Sequence, residues 1–345
     1  MENYLYVPVL KTKQNEFLAL NELSDPIKNR IKPLFVLTQE KCQDRANSLS
    51  KNLSQKWNNR DLFLDISQVN DFIIAGLSHV NFIFNDLVKN KVNFTPVIHL
   101  YNQNTDIMNF VISTGVSSAI LVKIKDFKHS TPNELQQLIS LLPNVTDIIL
   151  DFESDIAQSR QNHSFAISNH VNHISTHIPS NINIVILGSS IPSELPRDNY
   201  IPFGFESRVE WLGFYDYYHS SQKNNNNMIF GDYSISHPEE FEPTGYVNPN
   251  AKIRYTISDN YLFAVGYQVY THSDGFAQYH AMAGYIVSSP FFMGQNYSWG
   301  DNYLYNCSIE TGGPGNMGIW VKVGHNHHIT FVTHQVAANL YGILI

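Results

Sequence analysis

Residues 119–152 read AILVKIKDFKHSTPNELQQLISLLPNVTDIILDF, and this stretch decides the fold. It opens on the apolar run Ala119–Ile124 and closes on a second, Asp147–Phe152. Neither run alternates strictly between apolar and polar, which is the pattern of strands covered on both faces of a parallel sheet. Between them Glu134–Leu142 carries apolar residues at helical spacing. Strand, helix and strand in that order form a βαβ unit, whose second strand runs parallel to the first.

Outward from this unit the pattern repeats in both directions. Six further β-rich runs occur at Tyr6–Leu10, Pro33–Leu37, Leu62–Ile66, Thr95–Leu100, Ile182–Leu187 and Met228–Asp232. Helical stripes lie between them: Phe17, Leu20, Leu23, Ile27 and Ile31 within Glu16–Ile31, then Phe72, Ile73, Leu77, Val80 and Phe84 within Val69–Val88. Ile156–Ile178 follows strand six and Glu206–Tyr218 follows strand seven. Eight such units in residues 1–235 predict an α/β fold, a TIM-like (β/α)8 barrel, with a doubly wound open sheet as the runner-up. The polar run Asn224–Asn227 reads as a solvated loop before strand eight.

Behind the barrel, residues 236–250 hold three prolines and read as a linker. Residues 251–345 are expected to form an α+β extension packed on the barrel, since Trp299, Trp320 and several Phe and Tyr must be buried somewhere. Lys252–Thr256 and Tyr261–Gln268 read as a hairpin, Phe276–Val287 and His328–Leu340 as helices, and Gly312–Asn316 as a loop, either a lid or a plain turn.

Composition narrows the function classes. With 22 Lys and Arg against 30 Asp and Glu, the net charge is −8 and no basic run exists, which disfavours nucleic acid as a partner. Cys42 and Cys307 form no metal or redox spacing. The opening MENYLYVPVLKTK has neither the basic nor the apolar part of a leader, and no window is apolar enough for a membrane span, so a cytoplasmic protein is expected.

Several short motifs are distributed along the chain: Val7-Pro8-Val9-Leu10-Lys11-Thr12-Lys13-Gln14-Asn15-Glu16-Phe17, Ser190-Ile191-Pro192, Phe230-Gly231-Asp232-Tyr233, Ser298-Trp299-Gly300-Asp301, Gly313-Pro314-Gly315-Asn316, and Trp320 followed by Asn326-His327-His328-Ile329-Thr330. Together they resemble the beta protein family of bacteria, their phages and other mobile elements. The resemblance implies a role in phage–host conflict and carries no settled activity. After strand five the family pattern has an Arg where this chain has Lys123 and Lys125, so no Arg-specific role is carried over.

In a barrel the C-terminal strand ends form the active-site mouth, and residues i and i+2 share a face. That rule collects Lys11 and Lys13 on strand one, Asp65 on strand three, His99 on strand four and Lys123 with Lys125 on strand five. Asp151 and Glu153 follow on strand six and Asp232 on strand eight. A merely structural barrel is expected to scatter such charges between both ends. Asp65, His99, Asp151, Glu153 and Asp232 are therefore candidate catalytic groups, with Lys11, Lys13, Glu16, Lys123, Ser189, Ser190 and Tyr233 as candidate ligand contacts. Glu16 and Tyr233 enter through the motifs of the resemblance. Converging carboxylates can hold Mg²⁺ or Mn²⁺, lysines can bind phosphate, and His99 can exchange a proton near neutral pH.

Gly188-Ser189-Ser190 after strand seven suits a phosphate-binding turn. His325, His327, His328 and His334 read as a histidine-rich cap or site wall sooner than as a zinc site. The same strand-end charges can instead form a layer of salt bridges, such as Lys123 with Asp151. Two functions follow as expectations. One is a metal-assisted hydrolase or phosphodiesterase acting on a small phosphorylated ligand; the other is a catalytically silent barrel that recognises a phage or host protein.

Overall fold

The computed structural model describes residues 4–195, 201–221, 227–239 and 247–345. Residues 224–226 of the asparagine run and 240–246 of the expected linker lie outside the described residues.

All eight apolar runs become strands of one closed barrel: β1 Tyr6–Lys11, β2 Leu34–Val36, β3 Phe63–Asp65, β4 Thr95–His99, β5 Ser118–Lys123, β6 Val145–Asp151, β7 Asn183–Gly188 and β8 Met228–Asp232. Each pairs in parallel with its neighbours in the chain, and β1 pairs with β8 to close the ring. The fold is thus an α/β, TIM-like barrel. Alternation explains why the runs are apolar throughout. Val7, Val9, Val36, Val97, Leu121, Ile149 and Val185 fill the interior. Their neighbours Leu10, Phe35, Ile98, Ile120 and Leu150 are equally buried on the outer side.

Helices Cys42–Lys56, His79–Lys89, Thr105–Thr114, Thr131–Leu141, Arg160–Ser175 and Val209–Ser220 follow β2 to β7. Two of them depart from the expected spans. The stripe in Val69–Val88 becomes helical only at His79, because Ala75 (φ 50°) and Gly76 (φ 80°) turn Ile73–Ile74 back onto Leu77–Ser78 as a small hairpin. Left-handed backbone at two successive residues is the signature of a tight hairpin, and glycine adopts it without a Cβ clash. The helix after β7 begins at Val209, because Ile201–Ser207 is a strand.

The chain divides into two compact units, the barrel unit (Met1–Lys13, Asn29–Ser189, Val209–Tyr233) and a second unit assembled from Gln14–Lys28, Ser190–Arg208 and Ser234–Ile345. In the second unit Asn260–Gln268 lies between Asn250–Thr256 and Ile201–Ser207 in an antiparallel sheet, which includes the expected hairpin. Helices Gln278–Val287, Trp299–Ser308 and Met317–Tyr341 pack on it around Tyr255, Leu262, Tyr279, Met282, Leu304 and Trp320. The final helix also holds the first segment: Lys322 pairs with Glu22 at 2.9 Å, and the Asn326 amide donates to the Ala19 carbonyl at 3.1 Å. It begins eleven residues before His328, capped by Asn316, so Gly312–Asn316 is the turn that starts it.

His325, His327 and His328 of that helix are core residues, each with a partner, while His334 is half-buried. His327 Nδ1 meets Asp301 at 2.9 Å and Nε2 meets the Thr256 carbonyl at 2.8 Å; His328 reaches the Thr256 hydroxyl and His325 that of Ser234. Among the described residues no helix is long and apolar enough to cross a membrane.

Charge enters the barrel at its N-terminal end as well. Asp147, two residues before the interior Ile149, lies 3.7 Å from the Lys32 ammonium and accepts from Tyr4, Asn183 at 2.7 Å and Thr146 at 2.7 Å. Lys32 also sits 3.8 Å over the Phe63 ring. Burial lowers the Lys32 pKa, and Asp147 opposes that shift. Removing one member of a buried pair costs about 3–5 kcal/mol when it leaves the other without compensation. Asp147→Ala strands the ammonium, whereas Lys32→Met leaves a carboxylate with three hydrogen-bond donors. Urea unfolding is therefore expected to show the larger loss for Asp147→Ala; equal or reversed losses contradict this account of the barrel floor.

Candidate functional site

At the C-terminal end of the barrel, the interior register continues from Phe63 to Asp65, from Val97 to His99, from Leu121 to Lys123, from Ile149 to Asp151 and from Leu187 to Ser189. These five side chains continue the interior faces of strands three to seven. Tyr233, just past β8, packs against the same interior cluster.

The register excludes Asp232. Its neighbour Phe230 faces outward onto Trp211 and Phe214 of the helix before β8, and Asp232 itself accepts from the outward-facing Tyr6 hydroxyl. Glu16 and Ser190 belong to the second unit. Lys13 pairs with Glu40 at 3.2 Å, and Lys11 ends β1 half-buried. Ser189 is buried and its amide donates to the Glu153 carbonyl at 2.8 Å.

The carboxylates do not converge. Among the described residues, no three His, Cys, Asp or Glu side chains come together as a metal-ligand set. Each carboxylate instead has partners of its own. Asp65 faces His99 Nε2 at 2.9 Å and accepts from the Ser67 amide and hydroxyl at 2.9 and 2.6 Å. Asp151 accepts from the Tyr233 hydroxyl at 2.6 Å and the Glu153 amide at 2.8 Å. Glu153 bridges Lys123 at 2.7 Å and Lys125 at 2.6 Å. The salt bridge expected between Lys123 and Asp151 is thus replaced by one to Glu153. Although Lys123 and Asp151 are register partners, Glu153 adopts left-handed backbone (φ 49°) beyond the strand end.

Two equally buried aspartates are driven in opposite directions. Burial raises the pKa of both. At Asp65 the His99 ring, reinforced by Ser67, outweighs burial and holds the carboxyl at about 2. At Asp151 burial wins over the Tyr233 and Glu153 hydrogen bonds, and the pKa rises to about 6. His99 loses stability as a cation through burial, but Asp65 more than compensates and its pKa rises. Burial and the Asp151 charge keep the Tyr233 hydroxyl protonated, well above its usual range. Carboxylates whose pKa values separate in this way are suited to different acid–base roles. Because Asp65 is ionised, His99 Nε2 carries the hydrogen between them, and Nδ1 is the nitrogen that gains or loses a proton.

Beside this pair opens a depression of about 200 Å³ lined by His99, Tyr101, Asn102, Lys123, Asp126 and Lys128, together with Leu100 and Leu121. Lys128 stands 4.6 Å over the Tyr101 ring, and Tyr101 bonds to Thr131. Strand parity cannot find Tyr101, Asn102, Asp126 and Lys128, because they lie in the loops after β4 and β5. The one signal for them is the basic cluster Lys123, Lys125 and Lys128. The depression offers cations for an anionic group and a histidine for proton transfer.

A family model described as Beta protein matches residues 6–334. The chain is 25% identical over 361 residues to Protein beta of Enterobacteria phage P4, covering 99% of this chain and 96% of that relative.

The pair's pH dependence has two limbs. The Asp65 contribution is complete above the free carboxyl value of about 3.9 and is lost as pH falls through about 2. The His99 contribution is complete below the free imidazole value of about 6.5 and is lost as pH rises through its raised value. An NMR titration of His99 should give a pKa above the free value in the parent and below it in Asp65→Asn, where burial acts without the compensating charge. An unchanged value in Asp65→Asn contradicts this assignment.

Proposed function

The chain belongs to the Beta protein family, and from that premise we propose that its barrel mouth binds a small phosphate-bearing molecule and acts on it by proton transfer, in phage–host conflict. The observation that carries this reading is the Asp65–His99 pair beside a depression that also presents Lys123 and Lys128. A lysine is a point charge suited to a phosphoryl oxygen, and a carboxylate-oriented histidine is a proton carrier near neutral pH. The substrate anion is held at Lys123, with Lys128 and Tyr101 lining the depression beside it. His99 Nδ1 takes a proton from the attacking group or delivers one to the leaving oxygen, and Asp65 stabilises the imidazolium that results. Asp151, with a pKa of about 6, is the second group able to exchange a proton near neutrality. The conflict setting is supported by the relative encoded in phage P4.

A second reading is supported by the aromatic surface of the second unit. Phe205, Tyr267, Tyr270 and Tyr285 are each about half exposed, as suits recognition of a phage or host protein. The two readings separate experimentally. Inorganic phosphate, pyrophosphate, nucleotides and sugar phosphates are screened for a rise in thermal midpoint, and hits are assayed for turnover. Binding with turnover that falls about 10²–10⁴-fold in His99→Gln, while affinity holds, supports the enzyme. A screen with no hit, or turnover indifferent to His99, overturns it in favour of recognition.

A further inference from the structure

The ion-pair cluster at the rim of the mouth is built on an unusual backbone conformation. Glu153 presents one carboxylate oxygen to Lys123 at 2.7 Å and the other to Lys125 at 2.6 Å. Lys125 is 57% exposed, and both Glu153 and Lys123 are 22% exposed. The Lys125 pair is open to solvent and adds little to folding, whereas the Lys123 pair is largely covered. The backbone at Glu153 is nevertheless held at φ 49°, a left-handed conformation that is unfavourable for a residue with a Cβ. It is pinned on both sides, by its amide to Asp151 at 2.8 Å and by its carbonyl, which accepts from Ser189 at 2.8 Å. The main chain is fixed and the carboxylate is aimed. Only the side chain, with its three rotatable bonds and access to water, is free to leave.

We propose that Lys123 and Lys125 form the seat for the ligand's phosphoryl group and that Glu153 fills this seat as an internal substitute until the ligand displaces it. The proposal rests on the phosphate-binding reading of the mouth and adds its regulation. Two oxygens on one centre, each facing one ammonium, are what a phosphoryl group presents as well as a carboxylate. Lys123 connects the two places, since it lines the depression beside His99 while holding Glu153. A phosphoryl group seated there stays within reach of the same depression. The displaced carboxylate swings into solvent and remains charged. No bond is made or broken, and the exchange is one anion for another.

The consequence is a built-in competitor, so that weak or singly charged anions are refused and a multiply charged phosphate is admitted. Pyrophosphate and inorganic phosphate are titrated calorimetrically into the full chain as parent, Glu153→Gln, Glu153→Gly and Glu153→Gln/Lys125→Gln, with melting recorded for each. Glycine tolerates φ 49°, so Glu153→Gly removes the carboxylate without straining the loop and decides the question if Glu153→Gln fails to fold. Both single variants are expected to bind pyrophosphate about tenfold tighter than the parent, and Lys125→Gln to cancel that gain. If the parent binds and neither single variant binds tighter, the clamp is wrong while the mouth remains a phosphate site. Tightening that survives Lys125→Gln also overturns the two-lysine seat. If no variant binds either anion, this proposal and the phosphate-binding reading fall together.

Discussion

A closed parallel barrel leaves a charged side chain two interior positions, one at each end of the strands, and each requires a partner. Everything between is covered on both faces, by the interior stack on one side and by helices on the other. In this protein both ends are used. The N-terminal end is closed by Lys32, Asp147, Tyr4 and Asn183, whose polar atoms serve one another. The C-terminal end holds Asp65, His99, Lys123 and Asp151, and there a depression opens beside them. A merely structural barrel was expected to scatter its charges between both ends, and charge does occur at both. At the mouth a depression accompanies the ion pairs.

The difference between Asp65 and Asp151 shows how little is needed to move two carboxyl pKa values apart. Both are buried interior residues at strand ends, and burial alone pushes both toward the neutral form. A histidine ring at 2.9 Å keeps Asp65 ionised, while a phenol at 2.6 Å leaves Asp151 near neutrality. A cation compensates for desolvation where a neutral donor does not.

Much of the fold was readable because burial on two faces forces continuous apolar runs, and all eight were found. What escaped the sequence were features set by single backbone conformations. Ala75 and Gly76 convert part of a helical stripe into a hairpin, and Ile201–Ser207 is a strand because it pairs with Asn260–Gln268, a partner distant in sequence. Parity located Asp65, His99, Lys123 and Asp151, since their strands extend to those residues. It failed at Asp232, where the register set by Ile229 puts the carboxylate on the outer face, toward Tyr6. It also failed at Glu153, whose left-handed backbone ends the alternation. Tyr101 and Lys128 follow no period, because they lie in the loops after the fourth and fifth strands.

The helix that begins at Gln14 is among the first elements made, yet its partners Lys322 and Asn326 come about 300 positions later. At ribosomal rates of roughly 5–20 residues per second, that interval is about 15–60 s. Throughout it, Phe17 and Leu20 have no access to the final helix with which their segment packs. A nascent chain of this protein thus carries an unfinished apolar surface near its leading end until synthesis is nearly over. Chaperone capture during translation and sensitivity to premature stop codons follow from that order of assembly. Barrel and second unit are also interleaved along the gene, so recombination between relatives cannot exchange one for the other with a single crossover.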